Sequence, residues 1–162
     1  MNTSNSPQLN IAINAALSAG KVVMRYYSRL DTLKIKEKGV NDYVSEADLE
    51  SEKIIIASLT KTYPDYKITA EESGSSTIES EYEWFIDPID GTTNFIHGIP
   101  HFAVSIGLCK NKMPVLGVIY DPFKNELFTA EKGKGALLND KKIRVSNLKT
   151  IKSAVFGTGI PF

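Results

Sequence analysis

The sequence predicts an α+β fold, with two N-terminal helices packed on a mostly antiparallel sheet. Three observations carry that expectation. Apolar residues in the first third recur at helical spacing. From Phe102 onward they gather instead into short β-prone runs. The turns between those runs are too short to hold crossover helices, which favours an antiparallel meander. With 162 residues, 42% of them hydrophobic, the chain is long enough to bury one core.

Residues 1–8 read as a flexible polar tail and 9–162 as the domain. In residues 9–27, Leu9, Ile13, Ala16, Leu17, Gly20, Val23, Met24 and Tyr27 form the stripe of an amphipathic helix, with Pro7 and Asn10 as start signals. Residues 32–38 form a short polar-apolar stretch, and Gly39 marks a turn. A second helix is predicted from Ser45, whose hydroxyl can cap it, with Glu46 and Asp48 at its positive end. It runs to Thr62, buries Leu49, Ile55, Ile56 and Leu59, and is stopped by Pro64. Residues 66–70 read as a strand, 72–77 as a loop, and 83–86 as a strand aimed at Asp87. Further strands are expected at 102–109, 115–120, 126–130 and 142–145, with turns at 110–114, 121–125, 133–135 and 139–140. Cys109, inside an apolar run, reads as core.

Composition excludes several classes. Nineteen basic side chains balance nineteen acidic ones, so there is no general electrostatic drive toward nucleic acid or an anionic membrane. One cysteine makes no internal disulfide, and no zinc-type Cys/His spacing occurs. The longest apolar stretch, residues 102–109, is too short to span a bilayer, and the polar start does not read as a signal peptide, so a cytoplasmic protein is expected. The zero net charge conceals an asymmetry. Residues 71–90 hold seven acids and no base, whereas residues 131–152 hold seven bases and two acids. The basic stretch reads as a solvated face. Glu79, Glu81 and Glu83 read the same way, but the acids at the strand ends do not.

The strongest local signal is Trp84-Phe85-Ile86-Asp87-Pro88-Ile89-Asp90-Gly91-Thr92-Thr93-Asn94-Phe95. An apolar run delivers Asp87 and Asp90 into a turn that opens a short polar helix. The two carboxylates can face one hard cation, with the Ile89 carbonyl as a further oxygen ligand, which suits Mg²⁺ or Mn²⁺ rather than zinc. Gly91 permits close backbone approach, and the amides of Gly91, Thr92 and Thr93 at a helix start suit a phosphate. Metal carboxylates beside an anion nest describe a phosphoryl-transfer site. An EF-hand is excluded, because a loop with Gly91 sixth would begin at Ile86 and end at His97. Gly133-Lys134-Gly135 lacks the rest of a P-loop and reads as a hairpin turn. His97 and His101 read as surface or packing residues.

Asp87-Pro88-Ile89-Asp90-Gly91-Thr92 resembles the signature of the inositol monophosphatase family, within the lithium-sensitive sugar and nucleotide phosphatases. Ala70-Glu71-Glu72-Ser73 is similar to the family's acidic pair after a strand. Asn41-Asp42-Tyr43-Val44-Ser45-Glu46-Ala47-Asp48 is similar to its Asp-x-Val-Thr-x-x-Asp segment, with Ser45 where Thr is usual. The resemblance implies that Glu71, Asp87 and the Ile89 carbonyl hold a first Mg²⁺, and that Asp87 bridges to a second ion bound also by Asp90. It implies that Glu71, with a hydrogen-bonded Thr92–Asp48 pair, orients and deprotonates the attacking water. The phosphate would lie against Asp90 and the amides of Gly91 and Thr92. Lys38, or alternatively Lys36, stands where the family often has a lysine near the metals. Mn²⁺ as a substitute, Li⁺ as an inhibitor and a homodimer are further expectations of the resemblance.

In that family a second α/β half follows, with a Trp-Asp motif whose aspartate completes the second metal site; here the only tryptophan is Trp84. The chain is thus expected to be the N-terminal, metal-binding half of a Mg²⁺-dependent phosphomonoesterase. Its expected partner is a small phosphorylated polyol, sugar or nucleotide. Inositol-1-phosphate is favoured because Pro100-His101-Phe102-Ala103-Val104-Ser105-Ile106 is most similar to that subfamily. The alternative is an incomplete fragment that binds divalent metal and phosphate without turnover. A partner-binding scaffold that keeps the motif is a third reading.

Overall fold

The computed structural model describes residues 5–39 and 42–158. Helix α1 spans Pro7–Tyr27, two residues into what the sequence suggests as tail. Ser6 is its N-cap, the side chain accepting from the Leu9 amide at 3.2 Å, and Pro7 takes the first helical position, where it needs no amide partner. The buried face is rotated from the predicted stripe. Leu9, Ala12, Ala15, Ala16, Ala19, Gly20 and Val23 are buried, while Ile13, Leu17, Met24 and Tyr27 flank them half-buried. Small residues let α1 lie close to the sheet: a Cβ on Gly20 would stand 2.5 Å from Tyr120 Cε1.

Strands β1 (Ile35–Gly39) and β2 (Asp42–Ser45) form a two-stranded antiparallel ribbon where the sequence suggests only a polar stretch and a turn. Helix α2 follows at Glu46–Thr62, with Ser45 as its N-cap as expected. Leu49 is a correction: it is 50% exposed, because the inner face of α2 is set by Ala47, Asp48, Ser51, Glu52, Ile55 and Leu59.

The main sheet has eight strands: β3 (Lys67–Ala70), β4 (Gly74–Ser75), β5 (Tyr82–Asp90), β6 (Ala103–Lys110), β7 (Met113–Asp121), β8 (Glu126–Glu131), β9 (Gly135–Leu138) and β10 (Lys141–Lys142). The short helix α3 (Thr92–Ile96) lies between β5 and β6. The spatial order is β10-β9-β8-β7-β6-β5-β3-β4. Among these pairs only β3–β5 is parallel; β6 to β10 run as the antiparallel meander expected after Phe102, while β4 makes a short strand in a segment expected as loop. Strand β9 occupies residues expected as a turn and its flank. Conversely, the strand expected at 142–145 stops at Lys142.

Helices α1 and α2 cover one face of this sheet, and the core lies between. Val104, Ile106 and Leu108 point into it, as do Trp84, Ile86, Leu116 and Val118. Side chains alternate across a strand, so the odd-numbered residues of β6 take the other face. Cys109 is therefore half-buried on that face, not in the core. Phe85 and Ile119 also lie there, 42% and 49% exposed. Among the described residues no helix is long and apolar enough to cross a membrane.

Candidate active site

The site begins with the one parallel pairing. Ala70 of β3 lies opposite Ile86 of β5, and the next residue on each strand is an acid, Glu71 and Asp87. The Glu71 amide donates to the Ile86 carbonyl at 3.0 Å, extending the ladder and holding the two acids side by side. A bulge then positions the third acid. Asp87 pairs with Ser105 and Asp90 with Ala103, so three residues of β5 advance against two of β6. In a regular strand, residues three apart face opposite sides; the extra residue returns Asp90 to the face of Asp87, away from the helices. Pro88 and Ile89, at the bulge, are buried.

This grouping has strong electrostatic consequences. The Asp87 carboxyl is pushed up to about 8, first by burial, then by its hydrogen bond with Glu71 and the negative charges of Glu71 and Asp90. Two other acids of the stretch have cations: Glu83 meets Lys67 at 3.1 Å and Glu81 meets Lys110 at 3.5 Å. Among the described residues no ion pair reaches Glu71, Asp87 or Asp90. Carboxylates crowded together without a countercharge must share a proton or take a cation.

No three His, Cys, Asp or Glu side chains among the described residues form a cage for one ion. The expected first site is two carboxylates and a carbonyl, and the pair Glu71–Asp87 supplies the side chains for it. The Ile89 carbonyl is not an orphan, as it accepts from Thr92 Oγ1 at 3.0 Å, which leaves its second lone pair. These hard anionic oxygens without cationic neighbours fit Mg²⁺ or Mn²⁺.

Gly91 adopts φ +95° as the N-cap of α3, and a Cβ there would stand 3.0 Å from the His101 carbonyl, so glycine is required on both counts. The amides that follow lack intrahelical acceptors, as at any helix start. Thr92 Oγ1 donates toward Asp48 Oδ1 at 3.2 Å, bringing together two residues 44 apart in sequence. Asp48 is fully buried and completes the capping box of α2: its Oδ2 accepts from the Ser45 amide at 2.8 Å and from Ser45 Oγ at 2.5 Å. Burial raises its pKa, while the Ser45 and Thr92 hydrogen bonds pull it down. A shallow cavity of about 350 Å³, lined by Thr69, Glu71, Phe85, Asp87 and Ser105, lies on the sheet side of this turn. Another of about 480 Å³ lies beyond Asp90 and Gly91, beside Asn94, Ile119 and Lys124.

All the predicted site residues therefore fall on one turn and the two elements beside it. His97 and His101 are exposed; His97 Nδ1 pairs with the Thr93 carbonyl at 2.7 Å. Lys36 is exposed on β1, and the Lys38 and Asp42 side chains, with Asn41, lie outside the described residues. Sequence reasoning missed the buried Glu52, whose Oε2 accepts the Glu72 amide at 2.8 Å. Its position one helical turn after Asp48 was the available signal.

The chain is similar to known proteins over most of its length. A protein named Nus factor SuhB from Pasteurella multocida is 48% identical over 158 residues, 97% of this chain and 59% of that protein. The protein of the same name from Pseudomonas aeruginosa is 49% identical over 160 residues, again 59% of its length. The crystal structure of extragenic suppressor protein SuhB from Bartonella henselae superposes with a TM-score of 0.86 at 46% identity, covering 88% of this chain and 56% of that one. IMPase from Thermotoga maritima gives 0.80 at 37% identity, covering 88% and 55%. The chain spans about three-fifths of the curated relatives it matches. A model of the inositol monophosphatase family matches residues 4–162, and the chain belongs to that family.

Proposed function

We propose that the protein is a divalent-metal-dependent phosphomonoesterase acting on a small phosphate ester, with inositol-1-phosphate the favoured substrate. The observation that carries this reading is the unpaired Glu71–Asp87 couple beside the Thr92–Asp48 pair. Glu71, Asp87 and the Ile89 carbonyl would hold one Mg²⁺, and Asp87 with Asp90 would contribute to a second. When bound, such ions supply positive charge against a phosphate dianion and act as Lewis acids.

The remaining work belongs to the chain. Thr92 donates its one hydroxyl hydrogen toward both Asp48 and the Ile89 carbonyl, which turns an oxygen lone pair outward to accept from the attacking water. Asp48, buried and held by Ser45, fixes that polarity. Glu71, which lines a cavity with Asp87, takes the proton the water releases. The amides of Gly91 and Thr92 orient the phosphate oxygens, while the cavity beyond Asp90 takes part of the alcohol group.

The test measures phosphate release from inositol-1-phosphate, fructose-1,6-bisphosphate, histidinol phosphate and adenosine 3′,5′-bisphosphate by the intact protein. Release fastest on inositol-1-phosphate, dependent on Mg²⁺ and lost in Asp87→Asn, is expected; undiminished release by that variant would overturn the reading. The relatives' name, Nus factor SuhB, favours a second reading in which the protein serves as such a factor. A role that survives intact in Asp87→Asn would separate the two.

A further inference from the structure

We infer that Glu52 is a positioning residue that holds the Glu71 ligand turn against helix α2. The inference rests on the metal site proposed above. Glu52 is only 4% exposed on the inner face of α2. A carboxylate so placed is costly unless donors reach it. The Glu72 amide donates to Glu52 Oε2 at 2.8 Å, and it belongs to the residue directly after Glu71.

Glu71 thus sits between two backbone anchors. Its own amide is fixed to the Ile86 carbonyl on β5 at 3.0 Å, and the next amide is fixed to α2. Glu71 lies just past the end of β3, in a turn, where backbone without such anchors would move. Asp48 and Glu52 are one helical turn apart, so both face the sheet from α2. Asp48 reaches the Thr92 side of the site and Glu52 the Glu71 side. One rigid helix therefore sets the distance between the two arms of the site. Glu52 itself touches neither phosphate nor metal in this assignment.

The experiment compares Glu52→Gln with Glu52→Met in the intact protein. The two side chains are close in volume and helix propensity, but only the first keeps an oxygen that can accept the Glu72 amide. Mn²⁺ binding is followed by electron paramagnetic resonance, together with hydrogen exchange at the Glu72 amide and the melting temperature. The expected result is an Mn²⁺ Kd in Glu52→Gln within about threefold of wild type, against a loss of about tenfold or more in Glu52→Met with faster Glu72 exchange. Equal Mn²⁺ affinity in wild type and Glu52→Met would overturn the inference and leave the metal site standing. A wild-type protein that takes up no Mn²⁺ would overturn the metal reading itself, and this inference with it. Should Glu52→Met fail to fold, an Mn²⁺ Kd weakened tenfold in Glu52→Gln with Glu72 exchange unchanged would equally overturn it.

Discussion

Replacing Asp48 by Asn separates the catalytic role of its carboxylate from its structural one. The Asp48 carboxylate receives three donors: the Ser45 amide at 2.8 Å, Ser45 Oγ at 2.5 Å and Thr92 Oγ1 at 3.2 Å. An Asn side chain has one acceptor oxygen, and the cap at Ser45 claims it with two shorter bonds. The amide group then faces Thr92, so the hydroxyl accepts from Asn and donates to the Ile89 carbonyl, already at 3.0 Å. The polarity of the pair is reversed, and Thr92 no longer offers its lone pair to water.

Losing one hydrogen bond to a charged group costs about 1.5–3 kcal/mol. Relief of a buried charge, seen in the raised Asp48 pKa, offsets part of it. The net destabilisation is about 1 kcal/mol, a fall in Tm of about 2–4 °C for a chain of this size. By contrast, losing the Thr92 lone pair that orients the attacking water lowers kcat by about 10²-fold. The assay pairs phosphate release with a thermal melt. A kcat within about threefold of wild type would refute the reasoning. So would a loss of activity wholly matched by unfolding.

Other predictions follow from the same contacts. Asp48 holds its proton to higher pH in the folded state than in the unfolded chain, so it lowers stability as pH rises from the ordinary carboxylate range through its folded pKa. Asp48→Asn should therefore gain stability relative to wild type across that interval in pH-dependent melts; a constant difference would contradict this. Glu83 behaves oppositely, because Thr69 at 2.7 Å and Lys67 at 3.1 Å hold its carboxyl below the usual range. Its contribution is present above the ordinary carboxylate pKa and lost as pH falls through the folded value, so the deficit of Glu83→Gln in urea melts should shrink on acidification. Because a cation must displace the Asp87 proton, Mn²⁺ affinity should rise with pH toward about 8 and level off above it, with the slope absent in Asp87→Asn. Gly20→Ala would gain about 1 kcal/mol of helix propensity. It would also drive a methyl to 2.5 Å from the Tyr120 ring, so the urea midpoint should fall by the equivalent of about 1–2 kcal/mol net; an unchanged or higher midpoint would refute the close packing.

The elements most legible in the sequence were those with a local cause. Helix α2 starts at Ser45 because a serine followed three residues later by an acid is a reciprocal cap, and Pro64 limits its end. The meander from β6 to β8 follows from β-prone runs joined by short turns. Less legible were elements whose partners lie far along the chain. The ribbon β1–β2 has little apolar alternation to announce it, and β9 is a short strand held by pairing with β8. Leu49 was misplaced because the inner face of α2 holds Asp48 and Glu52, acids that periodicity assigns to solvent.

At the site, the motif named side chains that the fold brings close together, but spacing alone did not explain how they meet. Asp87 and Asp90, three apart, share a face only through the bulge against β6. Glu71 reaches Asp87 through the parallel β3–β5 register, which a sequence showing hairpin turns elsewhere does not reveal. Glu52 was missed because its role lies in a backbone contact, and its place one helical turn after Asp48 marks only a shared face of α2.

The central claim is that the Glu71–Asp87 couple holds a divalent ion for phosphate-ester hydrolysis. Its most direct test is phosphate release from inositol-1-phosphate across a Mg²⁺ titration, for wild type and Glu71→Gln. Saturable Mg²⁺ dependence in wild type, and little or no release in the variant at any Mg²⁺ concentration, is the predicted result. Release without added divalent ion after chelation, or equal release by the two proteins, would contradict the account.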